Sequence, residues 1–112
     1  MYSDKKMFVA ECYVENLISY LSKKWALTIL AHLSEKNLLR FNELLNDIGY
    51  ISPRSLSQRL KDLTSIGVIK KQQFNEIPPR VEYSLTESGK DLTIIFKDLE
   101  AWGRKWGEKS FT

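Results

Sequence analysis

The sequence predicts a mainly α fold that carries one small β-hairpin, which places it in the α+β class. Apolar residues recur at helical spacing in several segments, and a segment near residue 80 alternates as β-strands do. The 112 residues are enough for one compact core and too few for a catalytic domain plus a separate regulatory domain. Because the sequence contains no repeat, low-complexity tract or linker, residues 1–112 are expected to form a single domain.

Three short helices are expected in the N-terminal half. The first is predicted within residues 12–21, where apolar side chains recur at i, i+3, i+4 and i+7, namely Val14, Leu17, Ile18 and Leu21. The second is expected at about residues 23–35, with an inward side made of Trp25, Ile29, Leu30 and Leu33. Residues 38–40 can pair as a short strand, and a third helix follows at residues 41–48, which Gly49 is placed to end.

Ser52 and Pro53 mark the start of a fourth helix. The serine oxygen can accept hydrogen bonds from free backbone amides, and proline suits the first helical position. The helix is expected to run to about Ser65, and Gly67 supplies a stop. Its core stripe consists of Leu56, Leu60, Leu63 and Ile66. Since a short link joins it to the third helix, residues 41–66 have the spacing of a helix-turn-helix.

Residues 68–85 are predicted to form a β-hairpin. Residues 68–74 contain β-branched and glutamine side chains, and apolar and polar residues alternate from 80 to 85. The connection between these strands is polar and contains two prolines. A hairpin of this kind directly after a helix-turn-helix is called a wing. The predicted fold is therefore a winged helix-turn-helix.

A last helix is predicted at residues 87–109, with Thr86 as its cap. Its apolar side consists of Leu92, Ile95, Phe96, Leu99, Trp102 and Trp106. Each indole can bury roughly 200 Å², worth about 5 kcal/mol gross at ~25 cal/mol per Å², which is too much to leave in water.

We therefore expect the terminal helices, residues 12–21 and 87–109, to form the interface of a homodimer. The predicted interface residues are Phe8, Tyr13, Val14, Leu17, Ile18, Phe96, Leu99, Trp102 and Trp106. The alternative is that these side chains only close the core of the monomer.

The composition argues against catalysis, metal binding and membrane insertion. One cysteine, Cys12, and one histidine, His32, cannot supply a zinc ligand set, and no catalytic triad, phosphate-binding glycine loop or paired-carboxylate site is present. No segment approaches the ~20 consecutive apolar residues of a membrane span. We expect a cytoplasmic binding protein that is not an enzyme and needs no cofactor or metal.

The positive charge is concentrated in the middle of the chain. The net charge is +3, whereas residues 52–80 alone hold six basic and two acidic side chains, a balance of +4. Basic charge gathered on neighbouring elements is typical of proteins that bind polyanions. The alternative is a solvated surface that happens to be basic.

Four groups of residues resemble the HxlR family of bacterial and archaeal regulators, relatives of the MarR-type winged helix proteins. They are Cys12 with Val14, Glu15 and Asn16; Lys24 and Trp25; residues 40–44; and residues 78–86, which read PPRVEYSLT. The chain departs from the family pattern at Tyr13, Ser22 and Lys23. The resemblance implies DNA binding and a dimer through the terminal helices. It also makes Cys12 a candidate sensor of oxidants or electrophiles, and the alternative for Cys12 is a small buried packing residue.

A helix-turn-helix places its second helix in the major groove of DNA, with N-terminal residues over the base edges. With the leucines inward, the outward arc holds Arg54, Ser55, Gln58 and Lys61. Arg54 can pair with guanine and Gln58 with adenine. The predicted DNA-contacting residues of this helix are Ser52, Arg54, Ser55, Ser57, Gln58, Arg59 and Lys61, of which Ser57, Arg59 and Lys61 lie where phosphates flank the groove.

The wing is expected to add contacts to the DNA backbone or to the adjacent minor groove. The predicted residues are Lys70, Lys71, Gln73, Asn75 and Arg80. Arg80 can instead pair with Glu76 or Glu82 to hold the wing. A different class of function also remains open, because many winged helices use the same surfaces to bind proteins. The effector, the operator and the direction of regulation do not follow from the sequence.

Overall fold

The computed structural model describes residues 13–107, and the side chain of Tyr13 is not described. The helices within that range are α1 (Tyr13–Leu21), α2 (Ala26–Lys36), α3 (Phe41–Ile48), α4 (Pro53–Ser65) and α5 (Glu87–Trp106), and the strands are β1 (Leu38–Arg40), β2 (Ile69–Phe74) and β3 (Arg80–Leu85). The strands form one antiparallel sheet in the order β1-β3-β2. None of the helices in the described range is both long and apolar enough to cross a lipid bilayer.

The predicted fold class is confirmed, and the bounds of α3, α4 and β3 coincide with those expected from the sequence. The second helix was predicted to begin near residue 23 but begins at Ala26. The reason is Trp25, whose φ of 78° lies in the left-handed region that a bulky residue seldom adopts. Its half-buried indole packs against the core, and residues 22–25 form a turn before α2. Helical spacing of apolar residues does not reveal such a turn.

The core lies where α2, α3 and α4 meet the inner face of the sheet. Helix α2 contributes the fully buried side chains of Ile29, Leu30 and Leu33. The predicted leucine stripe of α4 faces them and is equally buried, at Leu56, Leu60 and Leu63. The other main contributors are Leu39, Leu44, Ile69, Tyr83 and Leu85. Burial raises the pKa of the Tyr83 hydroxyl above its usual range.

Local hydrogen bonds set the two ends of α4. The Ser52 hydroxyl accepts a hydrogen bond from the backbone N–H of Ser55 at 3.1 Å, and Pro53 occupies the first helical position. At the other end, Gly67 has a φ of 81°, which lets the chain reverse into β2. Both features agree with the sequence prediction, so α4 begins and ends where its own residues dictate.

The first turn of α5 is tied to the reversal between α4 and β2. The Thr86 hydroxyl donates to the carbonyl of Gly67 at 2.6 Å, and the Thr86 backbone N–H donates to the carbonyl of Val68 at 3.1 Å. The Ser88 hydroxyl donates to the Gly67 carbonyl at 2.9 Å. Gly89 lies so close that an added Cβ would stand 2.0 Å from the Val68 carbonyl oxygen. The N-terminus of α5 therefore packs directly against the segment that ends α4.

We expect Gly89→Ala to destabilise the fold by about 2 kcal/mol, because the new methyl group meets backbone atoms that no rotamer change can move. In open space the same substitution in a helix would stabilise by up to ~1 kcal/mol. Urea unfolding at fixed protein concentration measures the change. Lys90→Ala, at the exposed neighbouring position, is the control and should stay within ~0.5 kcal/mol. A Gly89→Ala protein as stable as the parent would contradict the close approach.

Candidate nucleic-acid interface

Helix α4 presents a polar face on the side opposite its buried leucines. Arg54, Gln58 and Lys61 are exposed on this face, as predicted, and Ser57 is exposed beside them. Ser55, also predicted to point outward, is half-buried. Three of the four predicted base-proximal side chains are thus brought together on one open surface, which we call the α4 face and define as Arg54, Gln58 and Lys61.

The two serines at the start of α4 are engaged with each other. The Ser52 hydroxyl donates to the Ser55 hydroxyl at 3.0 Å while accepting from the Ser55 backbone N–H. These contacts satisfy the helix end and hold both hydroxyls close to the backbone. Ser52 and Ser55 therefore set where α4 begins, and Arg54 between them is the first long side chain that the helix offers to its surroundings.

Asp62 is a residue that the sequence analysis did not single out, and it organises one edge of α4. Its Oδ1 accepts a hydrogen bond from Gln58 Nε2 at 3.0 Å, and its Oδ2 accepts from Arg59 Nη1. Lys23 Nζ, from the turn before α2, lies 3.6 Å from the same Oδ2. The side chain of Asp62 is only 14% exposed. The signal available in the sequence was spacing, because Gln58 and Arg59 precede Asp62 by four and three residues in the predicted helix and therefore lie beside it.

Because of these contacts, Arg59 does not lie where the sequence predicted. It was predicted to lie where phosphates flank the groove, but its guanidinium folds back along α4 onto Asp62 and is 21% exposed. By contrast, among residues 13–107 no ion pair or side-chain hydrogen bond involves Arg54, Lys61, Lys70 or Lys71. These four cations are the uncompensated positive charge of α4 and β2.

The register of the sheet separates the predicted wing residues onto two faces. Lys71 pairs with Tyr83 and Gln73 with Val81, so both lie on the face that carries the buried Tyr83. Lys70 pairs with Ser84 on the other face, in a cleft that Lys90 also lines. Ile69, the first residue of β2, is buried in the core, so Lys71 and Gln73 continue the core-facing side of the strand. Asn75 is exposed beyond the end of β2.

Arg80 has the second of the two positions that the sequence allowed. Its Nη2 lies 3.1 Å from Glu76 Oε2, and its Nε lies 3.4 Å from Glu82 Oε2. The guanidinium also stacks over the Phe74 ring at 4.0 Å from the centroid. Glu82 in turn lies 4.0 Å from Arg40 Nε of β1. Arg80 therefore joins the two strands of the wing near its tip.

The link between α2 and α3 is stabilised by another ion pair. Lys36 Nζ donates to Asp47 Oδ2 at 2.9 Å. This hydrogen bond and the carboxylate charge raise the pKa of Lys36 above its usual range. The pair is a surface contact between the end of α2 and α3, and its side chains are 51% and 26% exposed.

The terminal helices carry a broad apolar surface. Val14 and Ile18 of α1 are 63% and 51% exposed, and Leu99, Trp102 and Trp106 of α5 are 53–59% exposed. Leu17 and Phe96 are half-buried against the core. For each of these five exposed residues, more than half of the surface stays outside the monomer core. Phe8 and Cys12 lie outside the described residues, and the Tyr13 side chain is not described.

The sequence was compared with protein families and with known proteins. The profile of the HxlR-like helix-turn-helix family matches residues 20–111. An HTH-type transcriptional regulator of Halalkalibacterium halodurans is 39% identical over 88 residues, which are 79% of this chain and 78% of the relative. The HTH-type transcriptional regulator YodB of Bacillus subtilis is 33% identical over 99 residues, 88% of each chain.

The fold is similar to solved structures of the same kind. Reduced YodB matches with a TM-score of 0.80 at 32% identity, covering 88% of this chain and 96% of that one. Diamide-treated YodB matches at 0.71 and 33% identity over 82% and 90%, and quinone-bound YodB at 0.74 and 30% over 85% and 98%. The redox regulator HypR in its oxidized form matches at 0.73 and 32%, over 84% and 96%.

These relatives are transcriptional regulators rather than enzymes, and the family match extends over most of the chain. The resemblance predicted from the residues is therefore confirmed. The chain belongs to the HxlR family of helix-turn-helix transcriptional regulators.

Proposed function

We propose that this regulator binds double-stranded DNA in a sequence-specific way and acts as a homodimer on a palindromic operator. The observation that carries the proposal is the α4 face, where Arg54, Gln58 and Lys61 are exposed on a helix whose opposite side is fixed in the core. An α-helix fits the major groove, and these side chains are long enough to reach base edges or phosphates. Binding to chromosomal DNA implies a cytoplasmic location.

Arg54 is the proposed direct reader. It lies in the first turn of α4, the part of a recognition helix that approaches the bases. Because its guanidinium is engaged by no carboxylate among the described residues, it is available for two parallel hydrogen bonds to guanine O6 and N7. Ser57 and Lys61 are proposed to contact the flanking phosphates.

The wing is proposed to add contacts that do not depend on sequence. Lys71, Gln73 and Asn75 are exposed, and Lys71 and Gln73 share a face of β2. Lys70 lies on the other face and Arg80 is held by two glutamates, so we assign the wing's DNA contacts to the first three. Arg80 keeps the hairpin in shape for them.

The homodimer is proposed to form through the apolar surface of α1 and α5, together with residues near the N-terminus. A patch that includes two tryptophans is costly to leave in water and is typical of a protein interface. A twofold dimer would set two copies of α4 about 34 Å apart, one turn of DNA, and would require a palindromic operator. The packing of α5 against the segment that ends α4 would transmit that spacing to the DNA-contacting helices.

We also propose that oxidants or electrophiles regulate DNA binding by reacting with Cys12. Cys12 is the single cysteine of the chain. The solved relatives include a diamide-treated and a quinone-bound form of YodB and an oxidized form of HypR. Diamide oxidises thiols and quinones add to them, so Cys12 is the group on which such reagents would act here. With no second cysteine, a disulfide requires the partner subunit or a small thiol.

For the DNA contacts, we expect Arg54→Ala to lose about 1–3 kcal/mol of binding free energy and to relax the preference at one base pair. Lys71→Ala should weaken binding to every sequence alike. Selection from a random duplex pool, followed by affinities at several salt concentrations, measures both effects. Lys97→Ala on α5 removes a charge elsewhere and is the control. If DNA binding selects no sequence and its affinity hardly depends on salt concentration, the alternative function, a protein-binding winged helix, is favoured.

For the dimer, Leu99→Glu should give a folded monomer at micromolar concentration, because a carboxylate would have to be buried at the interface. Light scattering gives the mass, and circular dichroism checks the fold. Ala101→Glu, exposed on another side of α5, is the matched control and should remain dimeric. A monomeric parent protein would contradict the proposal directly.

For Cys12, we expect diamide or a quinone to change operator affinity in the parent protein and to have no effect on Cys12→Ser, which lacks the reacting thiol. Mass spectrometry identifies the adduct, and gel-shift titration gives the affinity. Sensing is excluded if operator affinity is unchanged and Cys12 is still a free thiol after treatment.

A further inference from the structure

We propose that Asp62 is a positioning residue that sets which base Gln58 can read, an inference that rests on the proposed DNA binding. Asp62 accepts a hydrogen bond from the amide nitrogen of Gln58 and so holds the Gln58 carbonyl oxygen available to the major groove. A reader fixed in this way favours bases that present an amino group, adenine or cytosine, over bases that present a keto oxygen, guanine or thymine.

The orientation of the Gln58 amide follows from the chemistry of its partner. A carboxylate has only acceptor atoms, whereas the amide of glutamine has a donor end and an acceptor end. At 3.0 Å from Asp62 Oδ1, the end that contacts the carboxylate must be the NH2 group. The opposite orientation would place two acceptors against each other. The assignment of nitrogen and oxygen is therefore determined by Asp62.

Asp62 is itself held in place from three sides. Gln58 and Arg59 donate to its two oxygens from one turn earlier in α4, and Lys23 approaches from the turn before α2. The carboxylate is largely covered, at 14% exposure, whereas Gln58 is exposed. The largely buried Asp62 thus fixes the orientation of an exposed Gln58 before DNA binds, which is preorganisation.

The contact with Asp62 restricts which bases Gln58 can read. In the major groove adenine and cytosine offer an exocyclic amine, while guanine O6 and thymine O4 are acceptors. A glutamine free to flip can serve either kind by turning its nitrogen or its oxygen outward. With its nitrogen engaged by Asp62, Gln58 offers the oxygen first, and the second N–H remains for adenine N7. Asp62 also neutralises Arg59, which leaves Arg54 and Lys61 as the uncompensated cations of α4.

The test uses the full-length protein and duplexes that differ at one base pair. Gln58→Ala identifies the position, because discrimination is lost there. Asp62→Ala is expected to reduce the amino-over-keto preference at that same position by about tenfold and to leave other positions unchanged. Asp62→Asn keeps the shape but offers both a donor and an acceptor, so it should relax the same preference in a protein of nearly unchanged packing.

Asp47→Ala is the matched control. It also removes one carboxylate and releases one lysine, Lys36, but it lies on α3 and should leave the base profile unchanged. In the Gln58→Ala background, Asp62→Ala should have no further effect at the identified position. The proposal is overturned if both Asp62 variants keep the parent profile while Gln58→Ala loses it, a result that leaves DNA binding intact. A parent protein that selects no sequence overturns the proposed function as well.

Discussion

The burial of Leu56, Leu60 and Leu63 is the constraint on which the rest of this structure depends. These three side chains lock α4 against α2 and so fix the rotation of the helix about its own axis. Because successive residues are 100° apart, one buried stripe determines the direction of every other side chain on the helix. The exposure of Arg54 and Gln58 is a consequence of that packing.

A second constraint links the start of α5 to the segment that follows α4. The carbonyls of Gly67 and Val68, at the end of α4, accept hydrogen bonds from the first turn of α5, and Gly89 allows the two segments to touch. The apolar surface of α5 is therefore held at a set angle to α4. In a domain of this size, any partner that binds α5 also sets the position of α4.

Side-chain partners were harder to predict than helices. Asp62 carries no motif, and its importance appears only when Gln58, Arg59 and Lys23 converge on it from two elements. Arg59 and Arg80, predicted as DNA contacts, proved to be ion-paired, but with partners only two to four residues away in the same helix or hairpin. A cation's role depends on the nearest carboxylate in space, and spacing along the chain reports that only within a helix or hairpin.

The sequence by itself determined the order of the elements, the start of α4 at Ser52 and Pro53, and its buried stripe, because capping and helical periodicity are local. Tertiary structure alone decided the turn at Trp25, which of Lys70 and Lys71 shares the face of the buried Tyr83, and the approach of Lys23 to Asp62. It also left Leu99, Trp102 and Trp106 outside the core. These features depend on which surfaces meet, and apolar residues of the same helical pattern can lie in a core or at an interface.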